Sequence, residues 1–240
     1  GGIRYLEQLE FSLVFESVSE RRILLDIAPH LVNPLGFLFP VYKTSRRGLT
    51  TINAGMWLYE GLSLFRSPKR HRTLSPKDIS EEEPALDISN VKGAPLYYDC
   101  STDDARLTLE SAVDAAHTGA VIATWTKAIG LIRDETGRVT GIEVENVFTG
   151  ETKKVFGHAI INATGPWTDK TMSLGGGESQ RSGVLRPTKG VHLVVKREKL
   201  PVNNAVVCFH PEDKRVLFAI PWGEHTYVGT TDTDYQGDPA

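Results

Sequence analysis

The chain has 240 residues, 40% hydrophobic and 24% charged, with a formal net charge of −3. That balance excludes a disordered chain and supplies apolar matter for one large or two modest cores. No apolar run reaches the roughly 18 to 20 residues of a membrane-spanning helix, and nothing at the start resembles a signal peptide. Cys100 and Cys208 are far apart and outside any Cys-x-x-Cys or Cys/His metal spacing. Core thiols in a reduced, cytoplasmic setting are therefore expected, with no metal site.

The first predicted element is a helix from Tyr5 to about Ala28. Its apolar residues Leu6, Leu9, Leu13, Val14, Val18 and Leu24 follow a helical period, and Pro29 and Pro34 end it. "LGFLFPVYK" predicts a short strand, and "TTINAGMWLYEGLSLF" a second helix capped by Thr50 or Thr51. Residues 67–95 are rich in Ser, Pro, Lys, Glu and Asp without periodicity and are expected to form a long surface loop. A basic run, "RSPKRHR" at 66–72, opens it, and acidic residues dominate from 81 to 120. The basic run is either a solvated loop or a contact for anionic headgroups or nucleic acid.

From residue 102 the pattern changes to helix, Gly turn, strand. Thr102 or Asp103 is the N-cap, Leu107, Leu109, Ala112, Val113 and Ala116 form an apolar face, and Gly119 ends the helix before the strand "AVIATWTKA". Three antiparallel strands joined at "DETGR" and "FTGET" should follow, then a strand "AIINATG" that turns into a short helix at about Trp167–Ser173. After "LGGGESQRSG", four strands are expected: "LRPTKGVHLVV", "NAVVCFH", "RVLFAIPW" and "TYVGTTDTD". The chain opens on "GGIRYLEQLE", as if already inside a helix, and closes on "YQGDPA", so an internal piece of a longer protein is expected.

Open α/β sheets bind ligands where strands turn into helices. "INATGPW" is such a place, since Ala163 and Gly165 would let a cofactor approach the main chain, although any strand-to-helix turn needs small residues. A Gly-x-Gly-x-x-Gly fingerprint is absent from the sequence, and Gly175–Gly177 follow a helix instead of opening one. In "RPTKGVHLVV", strand alternation would put Thr188, Gly190 and His192 on one face and Lys189 with Val191 on the other. His192 is then either a proton carrier beside a ligand or a histidine satisfied by a neighbour. "GTTDTD" either binds a polyol or phosphate or makes side-chain-stabilised turns.

Taken in order, "GGIRYLE", "YYDCSTDDARL", "INATGPWTD", "KGVHLVV" and "IPWGEHTYVGTTDTDYQGDP" resemble the FAD-dependent glycerol-3-phosphate dehydrogenases, membrane-associated flavoenzymes of the D-amino acid oxidase superfamily. The resemblance spans nearly the whole chain. It implies an α/β plus α+β fold, with a partial Rossmann-like FAD-binding layer (1–30 and 96–178) and an antiparallel-sheet substrate or cap domain (31–66 and 179–240). Family members carry the Gly-x-Gly-x-x-Gly turn ahead of the segment matched here, and a further domain after it.

Carried over by position, the resemblance makes Arg4 and Tyr5 the substrate-site pair, a guanidinium fork and a phenol for phosphate. His192 becomes the active-site base beside the flavin, with Lys189 and Thr188 near it. Ala163, Thr164, Gly165 and Trp167 would line FAD, and the backbone around Lys127 and Ala128 would meet adenine. The implied reaction is oxidation of sn-glycerol 3-phosphate to dihydroxyacetone phosphate by hydride transfer from C2 to flavin N5, with electrons passing to quinone. The resemblance also implies a cytoplasmic protein, peripheral on the inner face of a membrane, with no nucleic-acid partner; residues 66–72 gain a membrane-facing reading. A glycerol-3-phosphate oxidase, another amine or hydroxy-acid oxidoreductase of the superfamily, and an inactive fragment without flavin are the alternatives.

Overall fold

The computed structural model describes residues 9–45, 47–62, 67–175, 183–210 and 215–239. In chain order its elements are α1 (Phe11–Ile27), β1 (Val32–Leu38), β2 (Val41–Tyr42), α2 (Leu49–Leu62), β3 (Arg72–Leu74), α3 (Pro76–Glu82), β4 (Val91–Thr102) and α4 (Asp104–His117). Then come β5 (Thr126–Arg133), β6 (Val139–Asn146), β7 (Thr152–Phe156), a 3-10 turn (Gly165–Trp167), α5 (Thr168–Ser173), β8 (Thr188–Lys189), β9 (Leu193–Lys196), β10 (Ala205–Phe209), β11 (Val216–Trp222), β12 (His225–Gly229) and β13 (Thr233–Asp234). Helices and mixed sheets occur together, as expected. No described helix is long and apolar enough to cross a membrane. The chain divides into two units: one holds the residues up to Ser111 together with Gly190–Thr231, the other Ala112–Lys189 together with the residues from Asp232.

The first unit is built on an eight-stranded sheet of order β2-β4-β1-β10-β11-β12-β9, with β3 also paired to β4. Only β1 and β10 run parallel; the other pairs are antiparallel. Leu38, Leu74, Ile79, Val91, Ala94 and Leu96 form one buried cluster, and Val202, Val206 and Ala219 form a second. Each such aliphatic side chain contributes about 1.5 to 3 kcal/mol on burial. Val14 and Val18 of α1 pack with Tyr59 of α2. Between these helices and the sheet lies Arg21, 7% exposed. Its guanidinium donates to the Tyr59 hydroxyl at 3.3 Å and to Asp99 Oδ1 at 3.1 Å, fastening both helices to β4.

Several expectations are corrected here. Among the described residues this helix begins at Phe11, after Leu9 at φ +61°, outside the helical region; its expected start at Tyr5 and Leu6 lies outside the described residues. Thr50 and Thr51 lie inside α2, and the Ile52 N–H bonds to the Gly48 carbonyl, so the helix starts earlier than its best capping residues. Of the two N-cap candidates before α4, Asp103 takes the role, its Oδ1 accepting from the Arg106 N–H. Neither cysteine is a core thiol: Cys100 is half-buried and Cys208 exposed. Burial, then the neighbouring Asp99 carboxylate, pushes the Cys100 thiol up to about 11.

Residues 67–95 are not a long surface loop. They contain β3, α3 and the start of β4. The helix is short, but Ser75 and Asp78 form a reciprocal capping box around Pro76, and Ile79 is fully buried. Residues 96–102, expected in the FAD layer, belong to β4 in the sheet of the first unit. Of the basic run, His71 is buried with its N–H on Glu60 Oε1 at 2.6 Å, Arg72 pairs with Glu82, and Lys69 lies over the Tyr98 ring.

Glu83, directly after α3, is fully buried. It accepts from the Asn203 N–H at 2.9 Å, the Asn204 N–H at 2.5 Å and Asn204 Nδ2 at 2.8 Å. The carboxylate thus ties the 67–95 segment to the start of β10. Asn204 itself stands over Gly36, where a Cβ would lie 2.2 Å from its Oδ1.

The second unit holds the β5-β6-β7 meander and the β8-β13 ribbon. Its turns follow the expected chemistry. Asp134 Oδ1 accepts from Thr136 Oγ1 at 2.6 Å and from the Thr136 and Arg138 N–H groups, which holds its carboxyl below the usual range, the Thr136 hydroxyl contributing most. Gly137 and Gly150 take the positive φ angles that these turns need. The strand foreseen as "AVIATWTKA" begins only at Thr126, after Trp125 at φ +56°. "AIINATG" forms no strand: no described strand pairs with it, and Ile161 stays 86% exposed. Nor is "LRPTKGVHLVV" one strand. β8 pairs with β13 in the second unit and β9 with β12 in the first, and Gly190–His192 join them. Alternation therefore does not carry across Gly190.

Replacing Glu83 by Ala should leave three donors of Asn203 and Asn204 without their acceptor and cost about 3 kcal/mol, read as a lower urea midpoint at unchanged m-value. A midpoint within experimental error of the unsubstituted chain would show that the carboxylate is not a structural tie.

Candidate functional site

In the first unit the segment Gly190–His192 crosses Gly229–Thr231. The Val191 N–H donates to Thr231 Oγ1 at 3.0 Å, and the Thr231 N–H returns a bond to the Val191 carbonyl at 3.3 Å. Two glycines let the strands meet. A Cβ on Gly190 would lie 2.6 Å from Thr230 Oγ1, and one on Gly229 would lie 2.7 Å from His192 Cδ2. The imidazole thus rests on a bare stretch of main chain. It is exposed, and neither ring nitrogen has a hydrogen-bond partner among the described residues.

"GTTDTD" is accordingly split in role. Thr231 holds the His192 segment. Asp234, in the second unit, pairs through two bonds with Arg186, at 3.0 Å to Nε and 2.7 Å to Nη2, which keeps its carboxyl below the ordinary range. Thr188 and Lys189 lie on β8 of that same unit, opposite Asp234 and Thr233, with Lys189 Nζ 5.6 Å above the Tyr235 ring.

Also in the second unit, Ala163, Thr164, Gly165 and Trp167 come together in one turn. Asn162 organises it: Oδ1 accepts from Thr164 Oγ1 at 2.7 Å and Nδ2 donates to the Thr168 carbonyl at 3.1 Å. Thr168 Oγ1 donates to the Gly165 carbonyl at 2.7 Å and opens α5. Gly165 has φ +53°, and a Cβ built on it would meet nothing within 4 Å. The main chain is bare and open there, which fits the approach of a flat or phosphate-bearing cofactor. Trp167 is partly exposed beside it.

Lys127 and Ala128 are paired with Glu145 and Val144 of β6. β5 is an edge strand, so its other edge keeps main-chain groups unpaired by a strand among the described residues, as an adenine contact would need. Arg4 and Tyr5 lie outside the described residues. The sequence reading missed Gly229 and Thr231 as the seat of His192. They are about 40 positions away, and no local period signals the crossing.

The FAD dependent oxidoreductase family (DAO) matches residues 1–240. An aerobic glycerol-3-phosphate dehydrogenase of Staphylococcus epidermidis is 38% identical over 240 residues, covering 100% of this chain and 43% of the relative. Glycerol-3-phosphate dehydrogenase 2 of Mycobacterium bovis is 42% identical over 242 residues, covering 100% and 40%. Among solved structures, the glycerol-3-phosphate dehydrogenase of Bacillus halodurans complexed with FAD is similar with a TM-score of 0.73 and 33% identity, over 94% of this chain and 39% of that one. The chain therefore spans less than half the length of these relatives. Matched along its whole length, the chain belongs to the FAD-dependent oxidoreductases of the DAO family, whose cofactor is FAD.

Proposed function

We propose that the chain forms part of a dehydrogenase that oxidises sn-glycerol 3-phosphate to dihydroxyacetone phosphate and passes the electrons to a membrane quinone. The carrying observation is His192, an exposed imidazole seated on bare main chain, in a chain 38% identical over its whole length to a relative named for this reaction. FAD, when bound, supplies the acceptor for the hydride that leaves C2 of the substrate.

His192 takes the proton of the C2 hydroxyl as the carbonyl forms. Arg4 presents a permanently charged fork to the phosphate and Tyr5 a phenol; Lys189 and Thr188 add further polar contacts. Ala163, Thr164 and Gly165 admit the cofactor to the main chain, Trp167 packs beside it, and the edge of β5 at Lys127 and Ala128 offers backbone groups to adenine. Peripheral contact with the cytoplasmic face of the membrane follows from a quinone acceptor, and 66–72 contributes basic charge to it.

In the full-length enzyme, His192→Ala should lower turnover of glycerol 3-phosphate with a soluble quinone by about 100-fold or more while the yellow flavin absorbance is retained. Undiminished turnover would remove His192 from the chemistry, and turnover with oxygen alone would replace quinone by oxygen as acceptor. Gly165→Ala should lose flavin content and about 1 kcal/mol of stability, since an L-residue at φ +53° is strained; full flavin occupancy would take the turn out of the cofactor site. In flotation with anionic liposomes, the enzyme should rise with the vesicles and the Arg70→Glu, Arg72→Glu variant at least about twofold less. Equal flotation would sink the membrane role of this segment.

A further inference from the structure

We propose that Gly229–Thr231 is a positioning element for His192, setting where the imidazole stands; this rests on the function proposed above. Glycine is disfavoured inside strands and there marks a close approach of another backbone or a ligand. Gly229 ends β12 and pairs with Phe218 of β11. Its φ is not in the left-handed region that calls for glycine. The requirement is therefore steric. A Cβ at Gly229 would lie 2.7 Å from His192 Cδ2, 3.1 Å from His192 Cγ and 2.9 Å from the Val191 carbonyl oxygen, against 3.4–4 Å for ordinary contact. All three nearest atoms belong to the segment that carries the imidazole, so an added methyl group pushes first on that segment.

The segment is held from the other side as well. The paired bonds between Val191 and Thr231 fix its main chain next to the ring, and Gly190 needs the same closeness, since its Cβ would meet Thr230 Oγ1 at 2.6 Å and the Thr231 carbonyl oxygen at 3.2 Å. Two strand ends thus interlock through two glycines and one threonine, and the ring is left facing outward with its nitrogens unengaged among the described residues. Such a seat leaves the proton-accepting nitrogen free for a substrate while fixing the ring against the main chain. None of the three residues needs to touch substrate or cofactor.

The test is a double-mutant cycle in the full-length, FAD-loaded enzyme with sn-glycerol 3-phosphate and a soluble quinone. Relief of the Gly229 clash requires the ring to move by the better part of an ångström, and a displacement of that size at a reacting group costs on the order of 10- to 100-fold in rate. Gly229→Ala should therefore lower kcat by about that factor, with KM changed less than about threefold and flavin absorbance retained. In the His192→Ala background the same substitution should cost nothing further, because no ring remains to be displaced. An equal loss in both backgrounds, or an undiminished kcat in Gly229→Ala alone beside a slow His192→Ala, overturns the inference and leaves His192 as the base. Full turnover in His192→Ala overturns the functional reading itself. Should Gly229→Ala not yield folded holoenzyme, Thr231→Val, which removes the acceptor of the Val191 N–H, should show the same kcat-selective loss confined to the His192 background; an unchanged kcat there overturns the inference.

Discussion

The twelve residues of β4 are the constraint on which the first unit rests. This strand pairs with β1 over seven register positions, from Val32 opposite Thr102 to Leu38 opposite Leu96, and takes β2 and β3 along its length as well. Its side chains serve both faces: Ala94 and Leu96 enter the main core, while Asp99 receives Arg21 and so brings α1 and α2 onto the sheet. A buried guanidinium is tolerable only with partners, and two elements supply them: α2 through the Tyr59 hydroxyl, and β4 through the Tyr98 carbonyl and the Asp99 carboxylate. Take the strand away and both helices lose their anchor.

Glu83 extends the same logic. A carboxylate so completely buried needs both oxygens engaged, and it meets this by taking two backbone N–H groups and a side-chain amide from Asn203 and Asn204. The polar stretch between α2 and β4 is thereby fixed to the start of β10, and the parallel pair β1–β10 is stapled where Asn204 covers Gly36. Beyond β10, antiparallel pairing runs through β11 and β12 to β9, and at the end of that ladder stands His192. The position of the histidine follows from the last ladder step, Val228 opposite Leu193, plus the glycine contact just beyond it.

Much of this was legible in the sequence where the chemistry is local. The caps and turns announced themselves: Asp103 before α4, Gly119 after it, Gly137 and Gly150 in the meander. So did the two turns of the meander and the turn built around Asn162 and Gly165, although the strand expected at "AVIATWTKA" and the first of the three expected after it are one strand, β5. Illegible were features that depend on distant partners. Residues 67–95 look solvated because their apolar residues are few and their carboxylates many, yet Ile79 and Glu83 are fully buried. "AIINATG" looks like a strand because it is apolar, but an apolar segment becomes a strand only where a neighbouring edge accepts its backbone bonds, and no described strand pairs with it. The single strand expected at "LRPTKGVHLVV" failed for a related reason: its two halves bond to different partners.

By itself, the sequence determined the class of fold and the family through its motifs in order, because residue type and local spacing are written along the chain. Only the tertiary structure decided that His192 rests on Gly229 and is tied at Val191 to Thr231, that Gly165 faces open space, and that Thr188 and Lys189 share a ribbon with Asp234 instead of a strand with His192. The physical reason is range. Backbone propensity and capping act over a few residues, whereas close approach between glycine main chain and an imidazole some 40 positions away exists only once the ladder between β9 and β12 has set the register.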